Sequence, residues 1–179
     1  MKIKSILLIL FTVCLLSCKN DNKENNKQEV KEVAQNIFKV SINVIAKKND
    51  DFCLLYTEDG SINFTKGSIW QNLKGSENEQ QVVFYLPKDA YPTQLRIDFG
   101  VNKEQGDIVL KAIVCEYNGK KKEIRGNDLG LLFRPDETKC TYDSATGLIK
   151  AISKNGQKQS PSFYPQEANL GPELKKLAK

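Results

Sequence analysis

The chain has 179 residues, 40% of them hydrophobic and 27% charged, with a formal net charge of +5 and no histidine. Without imidazole, Ser-His-Asp and Cys-His catalysis and most zinc sites are excluded. The modest charge has no clustered basic face behind it, so nucleic acid is not an expected partner.

Lys2 and Lys4 precede an apolar run from Ile6 to Leu16, which ends at Ser17-Cys18. The run falls short of the roughly 20 residues that a membrane-crossing helix needs and fits the apolar part of a secretory signal. Leu15-Leu16-Ser17-Cys18 resembles the lipobox of bacterial lipoproteins, although Leu16 departs from the small or β-branched residue usual at its place. The resemblance implies a signal peptide over 1–17, cleavage before Cys18, and acyl chains (palmitate among them) that hold the mature protein on a membrane. Lys19 stands where an Asp would signal retention in the inner membrane, so the resemblance implies the outer membrane. Cleavage leaves 162 residues and a formal charge of +3, the size of one domain.

Residues 19–29 are rich in Asn, Lys and Glu and hold no aromatic or large aliphatic side chain, which predicts a spacer. Val30, Val33, Ala34 and Ile37 follow helical spacing. The expected division is a lipidated tether over 18–37, a β domain over 38–168 and a C-terminal tail over 169–179.

From Phe38 the period becomes two: Phe38, Val40, Ile42, Val44 and Ala46 alternate with mostly polar residues, which predicts a half-buried strand. Further strands are expected at 52–57, 61–65, 81–86, 95–100, 107–117, 121–125, 138–142 and 148–153. Turn residues such as Asp59-Gly60, Asn118-Gly119 and Asn155-Gly156 separate several of them. Residues 66–79, which carry the single tryptophan, Trp70, read as a loop, and Pro161 and Pro165 as breakers. Residues 128–133 suit one helical turn, and 174–178 a short helix or a frayed end. Many short strands at fairly even spacing predict an all-β sandwich. Cys115 reads as a buried thiol in a long apolar strand, and Cys53–Cys140 as a candidate disulfide.

Leu95-Arg96-Ile97-Asp98-Phe99-Gly100 and Ile108-Val109-Leu110-Lys111-Ala112-Ile113 resemble strand pairs of jelly-roll carbohydrate-binding modules and galactose-binding-like domains. That resemblance implies a jelly-roll-like β-sandwich. The wider span from Tyr56-Thr57-Glu58-Asp59-Gly60 to Ser162-Phe163-Tyr164-Pro165 resembles a poorly characterised domain of bacterial envelope proteins, which implies a location and no reaction.

Trp70, Tyr85, Tyr91, Phe163 and Tyr164 offer an aromatic platform for sugar rings, with Arg96, Asp98 and Asn102 as polar partners; alternatively, the rings close the core. Tyr85 is read as core, and Trp70 and Tyr91 as ligand candidates in polar loops. Glu58-Asp59 and Asp50-Asp51 are oxygen donors suited to calcium but read better as solvated turns, and Glu77 with Glu79 as surface charge. No cofactor and no catalytic residue is expected. The expected function is a non-enzymatic, lipid-anchored binding module for glycan; the alternative is an accessory subunit docking onto an envelope membrane protein complex.

Overall fold

A computed structural model describes residues 36–179; the signal, Cys18 and the tether up to residue 35 lie outside the described residues. The alternating segment after Phe38 forms β1 (Lys39–Ile45), with Val40, Ile42 and Val44 buried. It is followed by β2 (Asp50–Thr57), β3 (Ser68–Leu73), β4 (Gln80–Tyr85), β5 (Gln94–Asp98), β6 (Ile108–Tyr117) and β7 (Lys120–Ile124). Then come α1 (Asn127–Leu132), β8 (Phe133–Pro135), β9 (Cys140–Asp143) and β10 (Leu148–Ala151). A small hairpin of β11 (Ser153–Lys154) and β12 (Gln157–Lys158), then β13 (Ser162–Pro165) and α2 (Glu167–Ala178), complete the chain.

The strands form two antiparallel sheets that pack as a sandwich. One has the order β4-β1-β6-β10-β9, with β7 also on β6; the other has the order β3-β2-β5-β13-β8. The first six strands wrap as in a jelly roll. Only β2 and β3 are consecutive in one sheet; every other step from β1 to β6 crosses to the opposite sheet, which sets β6-β1-β4 against β5-β2-β3. β10 and β13, from late in the chain, extend these two triplets.

β6 is the longest strand because both its edges are occupied. β1 runs along one edge, while β10 takes the other at Ile108–Val109 and β7 takes it at Ile113–Tyr117. The β1–β6 register slips between Asn43 and Val44, whose partners are Ala112 and Leu110. The extra residue, Lys111, bulges and carries its charge to solvent. Between the sheets, Phe52, Phe99 and Phe163 meet edge to face at centroid separations of 5.7 and 5.0 Å, and Tyr142 joins Phe163 at 5.1 Å.

Four expectations change. Residues 61–65 form no strand, and the strand lies at Ser68–Leu73, in the segment read as a loop. Pro165 does not break structure: it ends β13, paired with Phe133 of β8 and beyond the β5 ladder, where its missing N–H costs nothing. The C-terminus is a twelve-residue helix rather than a tail, because Leu170, Leu174 and Leu177 recur at helical spacing and are buried in the common core. Cys53, Cys115 and Cys140 are all free and buried, with Cys53 and Cys140 in different sheets.

Candidate functional site on the outer face of the five-stranded sheet

Strand parity decides what this face displays. Phe52, Leu54 and Ile97 point into the core, so Cys53, Leu55, Arg96 and Asp98 take the other side. Two rows of cross-strand neighbours result. One runs Trp70, Cys53, Asp98, Ser162; the adjacent row runs Ser68, Leu55, Arg96, Tyr164, Arg134.

Trp70 is 54% exposed, although its backbone is fixed in β3 opposite Cys53. Two strand spacings, about 10 Å, separate it from Asp98. The Asp98 carboxylate is held by Arg96, whose Nε donates to Oδ1 at 2.8 Å and whose Nη2 donates to Oδ2 at 3.0 Å. They are two residues apart on one strand, so both side chains share the face, and the fork geometry fixes both. The Arg96 guanidinium also lies over the Tyr164 ring, 4.6 Å from its centroid, and Arg134 lies 5.3 Å from the same centroid. Phe64, from the loop between β2 and β3, meets Tyr164 edge-on at 6.2 Å and rims the platform.

The thiol beneath this row is inert. Cys53 is 1% exposed, and burial, with the Asp98 charge added, pushes its pKa up to about 11. Burial pushes the Cys115 thiol up to about 12. Both stay protonated near neutrality, so neither is a ready nucleophile.

The structure brings Trp70, Arg96 and Asp98 onto one face, with Trp70 on a strand rather than in a loop. It places Tyr91 and Asn102 elsewhere. Tyr91 closes the core: it packs on Phe38 and Tyr117 at 5.5 and 5.1 Å and donates its hydroxyl to the Leu174 carbonyl. Asn102 locks a loop, donating its N–H to Asp50 and its side-chain amide to the Asn49 carbonyl. Phe163 is core. Tyr85, read as core, is 59% exposed on the other sheet, opposite Lys39 in register. Arg134 was not foreseen, because a three-residue strand next to a helical turn is too short to show an alternation.

The acidic turns are occupied by local contacts. Glu58 accepts the Tyr91 N–H, Asp59 accepts the Ser61 N–H, and both line an open cavity of about 460 Å³. Asp50 is buried and spent on backbone N–H groups, and Glu77 pairs with Lys47 at 2.7 Å. Among the described residues no group of three or more His, Cys, Asp or Glu is placed to hold a metal.

Comparison with protein-family models, curated proteins and solved structures finds no match for this chain.

Proposed function

We propose that the chain is a bacterial envelope lipoprotein, lipidated at Cys18 and held on the outer membrane, whose sandwich binds glycan without chemically altering it. The observation that carries the binding role is Trp70, an exposed indole on a rigid strand with a fixed ion pair two strands away. Sugar rings present apolar C–H edges that stack on such a face, and their hydroxyls need nearby donors and acceptors. The Arg96–Asp98 pair supplies both, oriented before the ligand arrives, which limits the entropy cost of binding. The absence of histidine and the protonated thiols favour binding over turnover.

Trp70 is the single tryptophan, so selectively excited tryptophan emission reports this face alone. A glycan array followed by fluorescence titration tests the role. A binder should shift or quench the emission, and Trp70→Ala should abolish its binding on the array. Silence across a broad array, together with crosslinking to an envelope membrane complex, would favour the accessory-subunit reading instead. Mass spectrometry of the native protein checks the anchor: the expected N-terminus is an acylated Cys18, and retention of residues 1–17 would remove the anchor.

A further inference from the structure

We infer that the glycan taken by this face is acidic, and that its oxyanion, a carboxylate or a sulfate ester, sits on Arg134. The inference rests on the glycan-binding role proposed for the face and adds the charge and minimum length of the ligand.

The first support is the ion pairing of the face. The Arg96 cation is met by Asp98, and Lys139 lies 3.5 Å from Asp136. Arg134 is exposed and, among the described residues, has no carboxylate within ion-pair distance. Asp51 lies in the row beyond Trp70, beside Asn72, at the opposite corner.

The second support is geometry. The Arg134 guanidinium carbon lies 5.3 Å from the Tyr164 ring centroid, and among the described residues no protein acceptor takes its N–H donors. A planar fork with uncommitted donors matches the two oxygens of a carboxylate, and it also serves a sulfate. Arg96 stacks on the same ring, but two of its donors are already committed to Asp98. Arg134 is thus the guanidinium on this face with its fork free.

The third support is span. Trp70 lies on β3 and Arg134 on β8, at opposite edges of the five-stranded sheet. Four strand spacings amount to about 19 Å. A single sugar cannot touch both, so the ligand that uses the whole face is an oligosaccharide laid across the strands, passing over Asp98 and Tyr164.

The test titrates the full chain with four probes, read by Trp70 fluorescence: an oligogalacturonate, its methyl ester, a κ-carrageenan oligosaccharide and a neutral cello-oligosaccharide. The methyl ester keeps the sugar ring and removes the charge. The expected result is tighter binding of an acidic probe than of its neutral counterpart by about tenfold, equivalent to one good charge-assisted contact. Whether the carboxylate or the sulfate probe wins identifies the oxyanion. Arg134→Gln should bring that ratio close to one, with an unchanged thermal midpoint showing that the fold is intact. Added salt should also shrink the ratio. Equal binding of charged and neutral probes, or a ratio that survives in Arg134→Gln, overturns the acidic assignment and leaves the glycan role standing. Failure of all four probes, together with a silent glycan array, removes both.

Discussion

At the scale of single residues, the most constrained point is Asp50, at the mouth of the sandwich. Its Oδ1 accepts the N–H groups of Asp51, Val101 and Asn102 at 2.9, 2.7 and 2.9 Å, and Oδ2 accepts from Gln105 at 3.2 Å. Gly100 is what lets the loop approach: it holds φ at +96°, and a Cβ there would collide with the Asp50 carboxylate. Asp50→Ala would strand these donors in a buried place and should cost about 3 kcal/mol. Gly100→Ala should cost at least about 2 kcal/mol, from strain and collision together. Urea unfolding midpoints check both, and wild-type stability in either variant would refute the knot. None of this could be read from Asn49-Asp50-Asp51 in sequence, where an acidic turn looks solvated. The partners lie about fifty residues away and only the fold brings them in. The same holds for Tyr91, a loop residue in sequence whose half-buried ring is tied to a helix at the far end of the chain. Trp70 was legible as a candidate because one tryptophan in a polar stretch is conspicuous, but its strand was hidden by Gln71 and Asn72.

At the scale of elements, strands rich in branched apolar residues were readable and those with mixed faces were not. β1 and β6 declare themselves through Val, Ile and Leu, whereas β3 pairs along its whole length with β2 while burying only Leu73 fully. Tertiary pairing there overrides weak local preference. The terminal helix α2 was half legible: its leucines carry the period, but Gly171-Pro172 masks the start. Its docking predicts large sensitivity to truncation. Leu174→Ala should cost about 2–5 kcal/mol, since Leu174 is fully buried. Glu173 fastens the same helix, pairing with Lys176 and with Lys122 of β7 at 3.2 Å. The Lys176 hydrogen bond, and Lys122 with it, hold the Glu173 carboxyl below its ordinary value of 4.5. The contribution is therefore complete above that value and is lost as pH falls through the lower folded-state value. Because the pair is partly exposed, it amounts to about 1 kcal/mol or less. Glu173→Gln should lower stability near neutral pH, and the gap to wild type should close in acid. A gap that persists unchanged below pH 3 would show that the carboxylate charge does not act.

At the scale of the whole molecule, the wrap of the chain makes the two sheets depend on each other. Nearly every connection in the first six strands crosses between sheets, and Phe99, Phe163 and the α2 leucines join one continuous core. Neither sheet can be removed without exposing the inner face of the other, which predicts a single cooperative unfolding transition. The molecule supplies independent probes of it. Trp70 fluorescence reports β3, at the edge of one sheet; far-ultraviolet circular dichroism reports all strands and helices; the buried thiols Cys115 and Cys140 report the other sheet. Their midpoints in urea should coincide, and thiol-reagent labelling should stay slow until that transition. Refolding should be slow for the size of the domain, in the range of milliseconds to seconds, because the central β1–β6 pair closes over a long stretch of chain. The Lys39–Glu116 ion pair, at 2.7 Å, joins residues 77 apart. If Trp70 responded, and Cys53 became reactive, at lower urea than Cys115 and Cys140, β2 and β3 would be a separately melting edge. The proposed binding face would then rest on a mobile platform, and the Arg96–Asp98 pair could not give the entropic advantage on which its proposed role in sugar recognition depends.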